Sequence, residues 1–298
     1  MNHARVRTEL MSHTSSSLSS IPVLGSGLGY RRELKAAIFE SRADIDFVEV
    51  VTEQFFGDAR YLADLEELCQ VFPVIPHGVG LSIGSVELDE AYLRAIKVIS
   101  DTTRSPYYSE HLAMTRAPGI DIGHLSPVWF TEAVLRTAID NVSRVQDTLG
   151  KPLVVENVTY LFEIPGATMK QAEFFGRLVE ATGAGILLDL TNLYTNSVNH
   201  GFDPEVFLDE LPLDKVVQIH LAGGYWASGV LIDGHCEPVE EGSWSLLSKL
   251  SQRARVKASI LEHDANFPDL SVLLAQVARA RTMISPLGSG LAGPARDP

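Results

Sequence analysis

Seven consecutive strand-like segments of this 298-residue chain end in a side chain that can bind a metal ion. A single such residue is more often a capping or hydrogen-bonding group. Seven in succession call for another cause, because buried ionisable groups are costly unless they are paired or bound to metal. Converging carboxylates would also raise each other's pKa values unless cations neutralised them. The pattern therefore predicts a metal centre built from Glu49 and Glu53, His77, Glu110 and His111, Glu156 and Asn157, Asp189 and Asn192, His220, and the segment Glu262-His263-Asp264.

Two loops add further candidates. Asp233 and His235 are two residues apart after the seventh strand, a spacing that places both side chains on one side of an extended chain and lets them share an ion. Asn192 and His200 lie in the segment after the sixth strand, which we interpret as a loop. Imidazole and carboxylate ligands without a thiolate cluster suit iron, manganese or zinc. About eight ligands exceed the needs of one ion, which predicts two or three ions.

The elements that must position these residues are eight apolar, β-rich segments alternating with amphipathic helices. Near-continuous apolar strands indicate a parallel sheet buried on both faces, and eight β/α units close into a TIM barrel with catalytic groups at the strand ends. We predict an α/β fold of the (β/α)8 TIM-barrel type, with strands at Val23–Leu28, Ile45–Val51, Pro73–Val79, Tyr107–Leu112, Leu153–Val158, Gly185–Leu190, Lys215–Leu221 and Ala258–Glu262.

A doubly wound open sheet is the structural alternative. It would carry a glycine-rich phosphate loop after its first strand, and residues 25–29 (Gly-Ser-Gly-Leu-Gly) superficially resemble one. Their spacing does not match the dinucleotide-binding pattern, so we interpret them as a tight turn at the top of the barrel.

Composition limits the classes of function. The net charge of −14 disfavours general nucleic-acid binding, and no apolar segment is long enough to cross a membrane. Two cysteines in so long a chain favour a reducing compartment, and we predict a cytoplasmic protein. Residues 1–20 are predicted to be a disordered leader, residues 21–284 the barrel and residues 285–298 a disordered tail.

Taken together, the motifs resemble a known family. They are His77-Gly-Val-Gly-Leu-Ser-Ile-Gly, Ser109-Glu-His-Leu, Val155-Glu-Asn-Val, Leu188-Asp-Leu-Thr-Asn, Asn199-His-Gly-Phe-Asp, Gln218-Ile-His-Leu-Ala-Gly and Asp233-Gly-His-Cys-Glu-Pro-Val. Over about residues 21–284 the chain is similar to the multinuclear non-heme iron-dependent oxidative enzymes, the family that contains the iron-binding subunit of methanobactin biosynthesis.

The resemblance implies a barrel holding two or three iron ions of mixed valence that uses O2 to modify a residue of a ribosomally made precursor peptide. The modified residue would be a cysteine or a C-terminal or acidic residue, and a separate partner protein would bind the leader of the peptide. The resemblance implies metal ligands, which would also be the catalytic residues, at His77, His111, Glu156, Asp189, His220, Asp233, His235 and Glu262. It implies supporting or additional ligating roles for Asn157, Asn192 and His200, and we place Glu110 in the same group.

Two positions depart from the family pattern. Gly224 stands where many members have histidine, and His263 stands where arginine is common. Both departures concern the periphery of the site and therefore the substrate. We assign Cys236 no catalytic role. A divalent-metal isomerase or hydrolase of the sugar-isomerase or endonuclease IV type is the alternative activity, and a non-catalytic metal-binding protein is the third possibility.

Overall fold

The computed structural model of the protein describes residues 17–117, 119–162 and 164–285. These residues form twelve strands, which are, in chain order, β1 Gly25–Gly29, β2 Val48–Val51, β3 Val74–Gly78, β4 Tyr108–His111, β5 Ala113–Ala117, β6 Ile120–Pro127, β7 Leu153–Glu156, β8 Gly185–Asp189, β9 Val216–Leu221, β10 Tyr225–Ala227, β11 Val230–Ile232 and β12 Ala258–Leu261. Eight of them close a parallel barrel in the order β1-β12-β9-β8-β7-β4-β3-β2. The predicted TIM barrel is thereby confirmed.

Nine α-helices occur in the described part of the chain, and most of them surround the barrel. They are α1 Lys35–Glu40, α2 Ala59–Val71, α3 Glu90–Thr103, α4 Glu132–Leu149, α5 Gln171–Thr182, α6 Leu190–His200, α7 Pro204–Glu210, α8 Glu241–Ser251 and α9 Leu270–Ile284. Side-chain oxygens cap several helix starts. Asp89 accepts the backbone N–H groups of Ala91 and Tyr92 at the start of α3, and Thr131 accepts that of Val134 at the start of α4.

The barrel strands have two buried faces with different partners. Their outward side chains join the helices in a large apolar cluster, and their inward side chains form a smaller one that includes Phe47, Ile75, Val154, Leu187 and Ile260. Strand side chains alternate, so the residue two positions further along each strand points into the same interior, nearer the C-terminal end. Those residues are Glu49, His77, Glu156, Asp189 and Glu262. The alternation thus builds an apolar floor with a layer of ligand-type side chains above it.

Two parts of the secondary structure differ from the sequence-based expectation. The segment after the sixth barrel strand is the helix α6 and not a loop, because Asp189 ends β8 and its carboxylate accepts the Asn192 N–H as the helix N-cap. Two antiparallel hairpins, β5–β6 and β10–β11, are inserted at the barrel mouth. Neither hairpin was anticipated, since each interrupts the β/α alternation.

The glycine-rich segment after the N-terminus is itself a barrel strand. Residues 25–29 form β1 and pair with β12 and β2, so the prediction of a tight turn there is wrong. A side chain at Gly27 would place its Cβ 2.2 Å from the carbonyl oxygen of Phe47. Close contact between adjacent strands, and not phosphate binding, therefore accounts for a glycine at this position.

The ends of the predicted barrel domain are only partly described. Leu18–Ser20 form a short 3₁₀ turn, and the ammonium group of Lys257 donates to the carbonyls of Leu18 and Ile21, each at 2.6 Å. The rest of the predicted leader and nearly all of the predicted tail lie outside the described residues. Within the described ranges, no helix has the length and apolar character needed to span a membrane.

Candidate metal centre

The first group of ligand-type side chains lies at the ends of β3, β4 and β7. Nε2 of His77 and Nε2 of His111 lie 3.2 and 3.3 Å from the same oxygen, Oε2 of Glu156. The two imidazole rings have centroids 4.5 Å apart. Three ligand atoms from three strands therefore surround one point, a geometry that suits a single ion.

The second group uses the other oxygen of the same glutamate. Oε1 of Glu156 lies 3.2 Å from Nδ1 of His220, and this nitrogen lies 3.2 Å from Oε2 of Glu262. The carboxylate of Asp189 completes a compact set with Glu156 and His220. Glu156 thus contributes one oxygen to each of two neighbouring groups.

The third group joins the β11–α8 loop to the barrel. Nε2 of His235 lies 2.8 Å from Oδ1 of Asp233, and its Nδ1 lies 3.5 Å from Oε2 of Glu262. Asp189, His235 and Glu262 are close enough to hold an ion together. His235 has a φ of +47°, a left-handed conformation that is uncommon for a residue with a side chain and often marks functional sites. The structure thus brings all eight predicted ligands together at one end of the barrel.

The close contacts in this cluster are not hydrogen bonds. Oε2 of Glu156, Oδ2 of Asp189, Nδ1 of His220, and both ring nitrogens of His235 are buried without a hydrogen-bond partner. Buried polar atoms are nearly always satisfied, so this concentration of unsatisfied atoms requires an explanation. Ligands about 2.1 Å from a shared ion lie about 3.0–3.4 Å apart. The contacts of Glu156 with the three histidines, and that of His220 with Glu262, measure 3.2–3.3 Å. The donor set therefore fits bound metal ions.

The pKa shifts of the buried ligand-type residues also support metal binding. Burial raises the pKa of Asp189 to about 8, and the nearby charges of Glu156 and Asp233 add to this effect. Burial opposes protonation of His111, but Glu156 and Glu110 raise its pKa to about 9. Burial would also raise the pKa of Glu156, yet the surrounding histidines hold it below its usual range. Protons and metal ions compete for such groups, so metal binding should release protons.

Neighbouring polar groups fix the orientation of the imidazoles. Nδ1 of His77 lies 2.9 Å from Oγ of Ser109, and Nδ1 of His111 lies 2.9 Å from the carbonyl oxygen of Gly78. Both histidines therefore direct Nε2 toward Glu156. Such supporting contacts set the tautomer and the direction of a metal-binding histidine.

Asn157 and Asn192 form a buried hydrogen-bond network around Asp189. The amide of Asn157 exchanges hydrogen bonds with the backbone of Asp189, both at 2.9 Å, and Asn192 donates to the carbonyl of Asn157 at 3.0 Å. Oδ1 of Asn192 is buried and has no hydrogen-bond partner. Asn157 thus holds the backbone of Asp189 in place, whereas Asn192 also presents a free oxygen.

Glu110 and His200 are not members of the three groups, although Oε1 of Glu110 lies 3.8 Å from Nδ1 of His111. Glu110 points to the outer face of β4, where its carboxylate accepts the backbone N–H groups of His111 and Leu81, and burial raises its pKa. His200 ends α6, stacks on Tyr160 and bonds the Tyr160 carbonyl through Nε2 at 2.8 Å. Neither belongs to a group of metal-capable side chains among the described residues.

Three further polar residues lie at the site. Glu49 and Asp264 were strand-end candidates that were not among the ligands implied by the family resemblance, and Arg31 was not singled out in the sequence analysis. Glu49 lies 2.8 Å from Nε2 of His220, and Asp264 lies 3.3 Å from Nδ1 of His235. The buried guanidinium of Arg31 donates to Asp264 and lies 3.7 Å from Glu262. The free thiol of Cys236 is partly exposed, and its backbone N–H donates to the carbonyl of Gly223 at 3.1 Å.

Gly224, one of the two departures from the family pattern, lies where the backbone of the β10–β11 hairpin passes close by. A Cβ at this position would lie 2.3 Å from the carbonyl oxygen of Ile232, the residue before Asp233. We expect Gly224→Ala to displace this strand, weaken binding of the ion at Asp233 and His235 about tenfold or more, and lower the melting temperature.

The matched control is Gly176→Ala in α5, where a Cβ would meet only Pro212 at 3.6 Å or more. That change should stabilise the protein by up to about 1 kcal/mol, because alanine is the better helix former. Metal titration and thermal melting of both variants test the argument. Equal metal affinity in the two variants would show that the contact at Gly224 does not support the site.

Comparison with known proteins identifies the same family as the sequence motifs. Residues 25–285 match the family model described as "RiPP precursor modification enzyme MbnB/TglH/ChrH". The chain is 34% identical to a UPF0276 protein of Chromobacterium violaceum, covering 90% of this chain and 97% of that protein. It is 37% identical to a UPF0276 protein of Caulobacter vibrioides, covering 90% and 98%.

Solved structures confirm the fold alone. A D-tagatose 3-epimerase-like protein superposes with a TM-score of 0.57 at 14% identity, covering 87% of this chain and 97% of that chain. A xylose isomerase domain protein from Alicyclobacillus acidocaldarius gives a TM-score of 0.56 at 18% identity, covering 87% and 98%. Identities this low carry no information on substrate. The family model, in contrast, matches nearly the whole barrel. The chain therefore belongs to the MbnB/TglH/ChrH family of enzymes that modify RiPP precursors.

Proposed function

We propose that this protein is a multinuclear, non-heme iron enzyme that uses O2 to modify one residue of a ribosomally made precursor peptide. The observation that supports this most strongly is the position of Glu156, whose two carboxylate oxygens face two different groups of ligands. A shared carboxylate holds neighbouring ions close together, which suits chemistry that needs more than one metal.

The ligands divide among two or three ions. His77, His111 and Glu156 would hold one ion. Glu156, Asp189 and His220 would hold a second, with Glu262 3.2 Å from His220 as a further ligand. A third would lie at Asp233 and His235. Asn192, whose Oδ1 is buried without a hydrogen-bond partner, is an additional candidate ligand. Iron ions of mixed valence would supply O2 activation and the electrons for oxidation.

The chain itself would orient the metal ligands and keep them buried away from water. Ser109 and the Gly78 carbonyl fix the imidazole rings, and Asn157 fixes Asp189. The ions would compensate the buried carboxylates and give an otherwise acidic protein a locally cationic site. A cysteine thiolate or a carboxylate of the peptide fits such a site, which is why we propose a cysteine or a C-terminal or acidic residue as the target.

Recognition of the rest of the peptide is assigned to a separate partner protein that binds the leader. The family match supports this assignment. We place the reaction in the cytoplasm, where the two free cysteines stay reduced.

The test is co-expression with the short peptide encoded beside the gene and with the adjacent partner, followed by mass spectrometry of the peptide. We expect a mass change that requires iron and air and that disappears under anaerobic growth. An enzyme fully active without iron or without O2 would contradict the proposal. Manganese or zinc dependence without O2 consumption would favour the isomerase or hydrolase alternative.

A further inference from the structure

A chain of buried polar side chains runs below the metal centre, inside the barrel. Oε1 of Glu49 lies 2.8 Å from Nε2 of His220, and the amide nitrogen of Gln218 donates to Oε2 of Glu49 at 2.5 Å. The hydroxyl of Tyr107 in turn donates to Oε1 of the Gln218 side chain. All four residues are at most 3% exposed. Such a network lies in the part of a barrel that apolar side chains usually fill.

The two nitrogens of His220 face different partners. Nδ1 lies 3.2 Å from an oxygen of Glu156 and 3.2 Å from an oxygen of Glu262, without a hydrogen bond to either. Nε2 lies 2.8 Å from Oε1 of Glu49 and 2.8 Å from the amide nitrogen of Gln218. A histidine that binds metal through Nδ1 carries its proton on Nε2. The amide nitrogen can only donate, so the acceptor available to that proton is the carboxylate of Glu49.

We propose that Glu49 is a positioning residue that holds His220 in the orientation and tautomer needed to bind metal through Nδ1, and that Gln218 and Tyr107 hold Glu49 in place. This inference rests on the proposed function, because it assigns a supporting role within the same metal centre. The carboxylate–histidine–metal arrangement fixes the ring and increases its basicity as a ligand.

The competing assignment makes Glu49 a metal ligand. Glu49, His220 and Glu262 present ligand atoms close enough for one ion. Two observations argue against it. The oxygens of Glu49 contact His220 and Gln218. In contrast, Nδ1 of His220 and Oε2 of Glu156, whose carboxylate faces Nδ1, have no hydrogen-bond partner.

Three variants separate these assignments: Glu49→Gln, Gln218→Glu, and the double variant that exchanges the amide and the carboxylate. In Glu49→Gln, an NH2 group replaces one of the two carboxylate oxygens, so either His220 or Gln218 loses its acceptor. In Gln218→Glu, two carboxylates meet in a buried space. The double variant restores one carboxylate and one amide, with an acceptor near Nε2 of His220.

The measurements are iron content at saturation, the rate of iron release to a chelator, and the Mössbauer spectrum, each with circular dichroism as a check on folding. We expect Glu49→Gln to keep the full number of iron ions, to bind the ion at His220 about 10- to 100-fold more weakly, and to alter the signal of that ion alone. The double variant should recover most of the affinity, to within a few-fold of the wild type.

Loss of one iron equivalent from Glu49→Gln at saturating iron would identify Glu49 as a ligand and overturn the proposal. Unchanged release rates and spectra in both single variants would overturn it as well. If the wild type binds manganese or zinc and not iron, the proposed function fails, whereas the same variants titrated with that metal still test the role of Glu49.

Discussion

Glu156→Ala is expected to lower the iron content of the protein by about two equivalents and to reduce the rate of peptide modification on the order of a thousandfold or more. The reason is that the carboxylate of Glu156 lies between two groups of candidate ligands. One oxygen of Glu156 faces His77 and His111, and the other faces His220. Removing the side chain would take a ligand from both of the ions proposed to bind there. Iron analysis after anaerobic reconstitution measures the effect.

Two control variants show whether the loss of iron from Glu156→Ala exceeds the loss caused by removing a ligand from a single group. His111→Ala removes a ligand from one group and should cost about one equivalent of iron. Glu132→Gln changes an exposed glutamate in the first turn of α4 that pairs with Arg177 and belongs to none of the three ligand groups, and it should leave the iron content unchanged. If Glu156→Ala lost no more iron than His111→Ala, Glu156 would not be shared between two ions.

Asp189→Asn is expected to stabilise the metal-free protein at pH 8 and to have little effect at pH 4. The pKa of Asp189 is raised from 3.8 to about 8, first by burial and then by Glu156 and Asp233. In the unfolded chain the carboxylate ionises near pH 4, whereas the folded protein resists its ionisation. The wild type therefore loses stability as the pH rises from about 4 to 8, and the asparagine variant does not.

The size of this effect is on the order of a few kcal/mol, or roughly 5 °C or more in melting temperature for a chain of this length. Asparagine is also a good N-cap, so the start of α6 should be preserved. With metal bound the sign should reverse, because the variant lacks a ligand charge. Thermal melting at the two pH values, with and without metal, measures all four cases. Equal stabilisation at pH 4 and pH 8 would contradict the electrostatic account.

The barrel and the convergence of strand-end candidate ligands were predictable from the sequence because both depend on local, repeating signals. Buried parallel strands are continuous apolar segments, and a TIM barrel places the C-terminal ends of all its strands at one mouth. His77, Glu156, Asp189, His220 and Glu262 each lie at such an end. Their convergence follows from the topology without knowledge of any individual contact.

The inward position of Glu49 also follows from the sequence once the inward apolar residues are known. Strand side chains alternate, and Glu49 lies two residues after Phe47, just as His77 lies two residues after Ile75. Counting from the apolar floor of the barrel thus places Glu49 in the ligand layer. Its contact with Nε2 rather than Nδ1 of His220 depends on a ring rotation, which only the three-dimensional structure reveals.

Helix α6 and the two hairpins could not be read from the chain in the same way. The segment after Asp189 is rich in threonine, asparagine and serine, which are poor helix formers. It is helical because Asp189 caps it and because most of its residues are buried against the barrel. Hairpin β10–β11 is similarly fixed by tertiary contacts, since the side-chain amide of Asn199 on α6 exchanges two hydrogen bonds with the backbone of Leu231.

The central claim is that neighbouring iron ions share Glu156 at the mouth of the barrel. Anomalous diffraction from crystals of the iron-loaded protein, measured on both sides of the iron absorption edge, tests it most directly. We expect at least two iron peaks, one among His77, His111 and Glu156 and one among Glu156, Asp189, His220 and Glu262. A single iron peak, or peaks that do not contact Glu156, would contradict it.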